Sequence, residues 1–163
     1  QPFKVGDYCK CGDTLGFVEE IGIRSTRIRS LERTLITIPN AKLSDMNIEN
    51  FTEREKIRLS TFLRVDLETS ANKLKELLSE FERILLSDTN FHHDLYRVRL
   101  TGISDLGFEI EIYCYAKATE TNIFIAIREQ LLFAFIEKME ELEIKFAVPS
   151  QKTYYGAEAT EKL

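Results

Sequence analysis

Residues 24–40, RSTRIRSLERTLITIPN, constrain the fold more than any other stretch of this chain. Thr26, Ile28 and Ser30 alternate with Arg27 and Arg29, and a period of two places the two sets on opposite faces of a strand. A turn follows through Leu31, Glu32 and Arg33, residues 34–38 resume the strand, and Pro39, which has no N–H to donate, ends it. The stretch is one β-hairpin closed by an Ile-Pro-Asn stop.

Upstream, residues 2–7, PFKVGD, read as a lead-in ending in a Gly-Asp turn, followed by a short strand over residues 8–11 and a Gly12-Asp13 turn. Residues 14–23 carry Leu15, Phe17 or Val18, and Ile21 in a broken alternation, with Gly16 and Gly22 marking bends or bulges. Several short, bent strands in about fifty residues predict a small barrel or sandwich in preference to an open sheet. After the proline stop, residues 41–51 mix Asn, Asp and Ser, which favours a turn and a short extended piece over a helix. The charged connector TEREK, residues 52–56, marks a domain boundary.

Beyond it the period switches from two to 3.6 and back again twice. Residues 57–67 alternate Ile57, Leu59, Leu63 and Val65 against Arg58, Arg64 and Asp66 as a half-buried strand. Thr69 or Ser70 caps a helix whose apolar positions Leu74, Leu77, Leu78, Phe81, Ile84 and Leu85 recur at three and four. A loop over residues 88–94 holds both histidines, and strands over 95–101 and 108–116 form a hairpin about residues 104–107. A long helix over about residues 120–142 and a last strand over 144–148, ended by Pro149, complete the order strand, helix, strand, strand, helix, strand. The predicted class is therefore α+β: a small bent all-β barrel or sandwich over residues 1–54, a ferredoxin-like βαββαβ domain over 55–150, and an extended segment and tail over 151–163.

Composition excludes several functions. The most apolar run, residues 123–139, is broken by Arg128, Glu129, Glu137 and Lys138, so it does not supply the ~20 mainly apolar residues of a membrane span. Residues 1–56 hold nine basic and nine acidic side chains and residues 57–163 hold 13 and 18, so the net charge of -5 belongs to the second part. No domain carries the concentrated basic footprint of a nucleic-acid binder, and no nucleic-acid partner is expected. Cys9, Cys11 and Cys114 make an odd count that suits a reducing compartment, with packed strand cysteines rather than a four-ligand metal site. Adjacent His92 and His93, with Asp88 or Asp94 nearby, read as solvated. No nucleophile–base arrangement or phosphate loop is present, so neither an enzyme nor a cofactor is expected. The start at Gln1, without Met, suggests that sequence is missing upstream.

Taken together, PF-x-x-G-D-Y at residues 2–8, G-x-V-E-x-I at 16–21, ST-x-I-R at 25–29, T-I-P-N at 37–40 and NIENF at 47–51 resemble the β-domain of the small-conductance mechanosensitive ion channel family. The α/β order that follows fits that family's next domain. What the resemblance implies is the cytosolic cage of a tension-gated channel: seven self-associating copies, membrane attachment through helices before residue 2, and inorganic ions passing through a vestibule. It also implies a cell-membrane location with this part on the cytoplasmic side. Pro2, Phe3, Gly6, Asp7, Tyr8, Arg27, Arg29, Pro39 and Asn40 become subunit-interface or pore-junction candidates, the junction with the pore helices falling near Pro2 to Asp7. Thr153 and Tyr154 fall in the segment, residues 151–155, that would close an axial barrel.

The sequence departs from the family at Ala41, where glycine commonly follows the Ile-Pro-Asn asparagine, at Glu32-Arg33 in the hairpin turn, and in the reduced proline content before residue 151. Two alternatives are a soluble homo-oligomeric scaffold and an RNA-binding small barrel, the latter using Arg24, Arg27, Arg29 and Arg33. The plainer reading of those arginines is a solvated strand face or intersubunit salt bridges. The net charge of residues 57–163 would bias such a vestibule toward cations.

Overall fold

A computed structural model describes residues 2–149. The described residues divide into two compact units, one formed by residues 2–59, 89–92 and 115–130, the other by residues 60–88, 93–114 and 131–149.

In the first unit, β1 (Tyr8–Cys11), β2 (Thr14–Ile21), β3 (Ser25–Ser30), β4 (Leu35–Pro39) and β5 (Ile48–Asn50) form a five-stranded sheet in the order β4-β3-β2-β1-β5. The described pairs β1/β2, β1/β5, β2/β3 and β3/β4 are all antiparallel. Its core takes Cys9 and Cys11 from β1, Val18 from β2, Ile28 from β3 and Ile38 from β4, completed by Phe3 and Leu43, with Ile48 of β5 packed against it. The broken alternation of residues 14–23 has a local cause. A register shift between Val18 and Glu20 inserts one residue, so that Val18 faces Ile28 and Ile21 faces Thr26.

The expected barrel or sandwich does not form. β4 has only β3 beside it and β5 only β1, so the sheet stays open with two edges. The glycines that suggested curling serve other ends. A Cβ on Gly16 would stand 2.3 Å from the Arg29 carbonyl oxygen, so the glycine permits a close approach of β2 and β3. Gly22 lies in the β2–β3 turn, its N–H donating to the Ser25 carbonyl at 2.9 Å. Where a turn was expected after Pro39, the chain forms the five-residue helix α1 (Asn40–Ser44), and β5 is the extended piece that follows.

The other sheet is three-stranded, β6-β8-β7, built from β6 (Ile57–Val65), β7 (Phe91–Ser104) and β8 (Gly107–Ala116), with helices α2 (Ala71–Ser87) and α3 (Thr121–Glu141). The fourth strand expected of a ferredoxin-like domain is reduced to one bridge, Val65 to Phe146, with Asp66 N–H donating to Lys145 and Ala147 N–H to Arg64. Pro149 removes the next donor but one. Ser70 caps α2 by accepting from the Lys73 N–H, and Leu74, Leu77, Phe81 and Leu85 form its buried stripe. Phe81 stacks on Phe135 of α3 with ring centroids 4.2 Å apart. The loop assigned to residues 88–94 is shorter than expected: β7 begins at Phe91, fully buried, so His92 and His93 are strand residues. No helix among the described residues is long and apolar enough to cross a membrane.

Candidate functional site

The lead-in is fixed to the sheet through both neighbours of β1. Gly6, at φ 96, donates its N–H to the Val18 carbonyl at 2.8 Å, and the Val18 N–H returns to the Asp7 carbonyl at 2.8 Å. On the other side, the largely buried Asp7 carboxylate accepts from the Lys4 N–H at 2.9 Å and from Asn50 Nδ2 at 2.8 Å. Asn50 Nδ2 also lies 3.4 Å from the Pro2 carbonyl. Phe3 is anchored in the core. Phe3, Gly6, Asp7 and the Pro2 carbonyl are thus tied to β2 and β5 together.

A second corner is tied by Asn40. Its Oδ1 accepts from Thr26 Oγ1 at 2.9 Å, and its Nδ2 donates to the carbonyls of Gly22 and Ile23 at 2.9 and 3.1 Å. The backbone N–H of Asn40 donates to Arg24 at 2.9 Å, while Pro39 pairs with Ser25 on the edge of the sheet. Pro39 fits there because an edge strand leaves one row of N–H positions without a partner strand. Pro2, Phe3 and Asn40 line a single cleft of about 500 Å3 with Ile21, Leu43 and Met46.

Arg27 and Arg29 stand on the face of β3 away from the core. Arg29 makes a bidentate pair with Glu19, Nε to Oε2 at 2.6 Å and Nη2 to Oε1 at 2.8 Å, and Arg27 Nη1 reaches Glu20 at 2.9 Å. The Arg29 hydrogen bonds hold the Glu19 carboxyl below its ordinary range and raise the guanidinium. The bulge that brings Glu19 and Glu20 together opposite two arginines neutralises this face, which leaves little free positive charge for a phosphate backbone. Arg33 adopts φ 65 in a turn closed by Ser30 N–H to Thr34 O at 2.9 Å, taking the conformation that a glycine gives more readily.

Tyr8 is set apart from these groups. Its ring stacks near Phe17 and Phe51, centroids 4.8 and 5.6 Å away, and Arg54 lies over the Phe51 ring at 5.2 Å. With Leu31, Thr52 and residues 119–122 they border a cleft of about 620 Å3. Thr153 and Tyr154 lie outside the described residues.

Asn50, Thr26 and Arg54 do as much positioning as the residues singled out from sequence. The signal for Asn50 was its place in NIENF, whereas Arg54 was hidden in a charged connector. Cys9, Cys11 and Cys114 are free and buried. His93 Nε2 sits 3.0 Å from the Asp88 carbonyl, and among the described residues no three His, Cys, Asp or Glu side chains gather into a metal cluster.

Residues 1–53 match the family described as mechanosensitive ion channel, beta-domain. An uncharacterized MscS family protein of Aquifex aeolicus is 32% identical over 94% of the chain, and the large-conductance mechanosensitive channel MscMJLR of Methanocaldococcus jannaschii is 29% identical over 94%. The chain spans 42% and 44% of those two relatives' lengths. Among solved structures, Arabidopsis thaliana MSL1 superposes with a TM-score of 0.83 at 17% identity, covering 91% of this chain and 54% of that one. Helicobacter pylori MscS in its closed state gives 0.76 at 16% identity, covering 97% and 61%. At such identities the structural likeness speaks for the fold, and the sequence matches speak for descent. The chain belongs to the MscS-like family of mechanosensitive ion channels.

Proposed function

We propose that the chain is the cytosolic cage of a tension-gated, membrane-embedded channel, lying on the cytoplasmic side of the cell membrane. Membrane helices join it at Pro2, seven copies associate, and ions pass through the vestibule they enclose. As a member of a channel family, the chain is not an enzyme. The observation that carries the reading is the lead-in held at once by Val18 of β2 and Asn50 of β5, a rigid coupling between whatever precedes residue 2 and the sheet. The open edges at β4 and β5 support self-association, since unpaired strand edges call for a cover. The face carrying the Arg27–Glu20 and Arg29–Glu19 pairs, and the Pro39-Asn40 corner, are the surfaces assigned to neighbouring copies.

The test is the full-length protein in liposomes, patched under graded suction in asymmetric salt. A conductance that opens with tension is expected, with a reversal potential favouring cations because the net charge of -5 lies in residues 57–163. Absence of any tension-activated current sinks the channel reading, and anion preference sinks the vestibule bias. Asn50→Ala is expected to shift the opening tension while the protein still assembles.

A further inference from the structure

Tyr8, Phe17 and Phe51 make one aromatic wall of the cleft of about 620 Å3, a volume within the range of small-molecule sites. The described chain does not close over this wall: Phe17 is 47% exposed, and Leu31 on the border of the cleft is 59% exposed. Arg54 stands at the end of the wall, its guanidinium 5.2 Å from the centre of the Phe51 ring. Nε donates to the Phe51 carbonyl at 2.9 Å and Nη2 to the Thr119 carbonyl at 3.3 Å. Both partners are neutral, and among the described residues no carboxylate pairs with Arg54, so its charge stays uncompensated. Glu120 also borders the cleft, but it is exposed, and solvent screens its charge more than that of half-buried Arg54. Thr121 and Asn122, from the first turn of the 21-residue α3, add the positive end of that helix to the same cleft.

We propose that this cleft binds a small planar aromatic carboxylate, its ring against Tyr8, Phe17 and Phe51 and its anion on Arg54. A flat ring gains offset stacking on such a wall that an aliphatic chain does not. The guanidinium plane matches the two oxygens of a carboxylate, and the two carbonyls that hold Arg54 fix that plane before a ligand arrives, so little side-chain freedom is lost on binding. One cation with Glu120 nearby suits a monoanion better than a phosphate dianion. The 5.2 Å from guanidinium to ring asks for a short arm between the ligand's ring and its carboxylate. Binding here is a property of one chain, and it stands or falls separately from any tension-activated current.

The experiment is equilibrium dialysis of 2-naphthoate against the full-length protein in nanodiscs, with empty nanodiscs as the blank. Saturable binding at one site per chain is expected, about tenfold to a hundredfold tighter than that of 2-naphthamide, which keeps the ring and shape and lacks the charge. Arg54→Gln should bring 2-naphthoate down to the affinity of the amide while leaving the amide unchanged. Phe17→Ala, at a position already exposed and so tolerant of truncation, should weaken both probes by about threefold to tenfold. The preference of the parent for the carboxylate decides the matter if Arg54→Gln does not fold. No saturable binding above the blank, equal affinity for 2-naphthoate and 2-naphthamide, or loss of both probes alike in a folded Arg54→Gln overturns the assignment.

Discussion

Replacing Asn40 by alanine tests the corner at which β3, β4 and α1 meet. The substitution removes two amide donations, to the Gly22 and Ile23 carbonyls, each worth about 1 kcal/mol net. It also strands the Thr26 hydroxyl, on a residue only 1% exposed, and an unpaired buried polar group costs about 1–3 kcal/mol. The expected loss is about 3 kcal/mol, allowing for water reaching the two loop carbonyls. Urea unfolding followed by far-UV circular dichroism reads it directly. The partner variant Thr26→Val removes the hydroxyl that Asn40→Ala leaves unpaired, so the double variant should be more stable than the sum of the singles predicts by about 1–2 kcal/mol. Asn40→Asp keeps the acceptor for Thr26 but turns a carboxylate oxygen on the Gly22 and Ile23 carbonyls, so it should lose at least the two donations that alanine loses. Effects of Asn40→Ala below about 0.5 kcal/mol, or strict additivity with Thr26→Val, would refute the account of this corner.

Gly16→Ala places a Cβ 2.3 Å from the Arg29 backbone oxygen, and a loss above about 3 kcal/mol in the same urea experiment is expected, because the obstacle is main chain and cannot swing away. Arg33→Gly should be neutral to stabilising by up to about 1 kcal/mol, since it relieves a left-handed conformation while adding flexibility to the unfolded chain; clear destabilisation would show that Arg33 makes a contact of its own. Arg29 favours ionised Glu19 in the folded state, so its stabilisation is complete above the ordinary carboxylate value of 4.5 and fades as pH falls through the depressed one. Thermal melts of wild type and Glu19→Gln should accordingly converge in acid, and a gap unchanged at the lowest pH that preserves the sheet contradicts the pairing. Burial pushes the Cys114 thiol up to about 12, so it should react with a bulky aromatic disulfide reagent only on unfolding, and prompt reaction of the native protein would place it nearer solvent.

Where structure depended on neighbours in the chain, the residues announced it. Ser70 ahead of Leu74, Leu77, Phe81 and Leu85 located α2 because capping and helical periodicity act within a few residues. The central hairpin was equally plain, its alternation ending at Pro39. Closure of a sheet is a different kind of question, since it depends on whether a strand near residue 48 pairs with β1 or β4, a choice that no local pattern encodes. Gly16 illustrates the difficulty: curling and close backbone approach both demand a residue without a side chain, and only the position of Arg29 separates them. The sequence around the histidines reads as a loop because polar residues hide the alternation at the start of β7, although Phe91 is already inside. Of the candidate site, the lead-in and Asn40 were visible as motifs. That Thr26 and Val18 are their partners was not, because hydrogen bonds across strands leave no mark in spacing.

The attachment of residues 2–7 also sets how the sheet would answer a pull. β2 and β5 flank β1, and the lead-in grips both, through the Val18 backbone on one side and the Asn50 side chain on the other. A displacement arriving at Pro2 is shared among bonds on two strands, which must yield together, and does not unzip a single ladder one rung at a time. Such a joint behaves like a rivet through three plates: it passes small movements on faithfully and resists failure until the load is large enough to strip the whole end of the sheet.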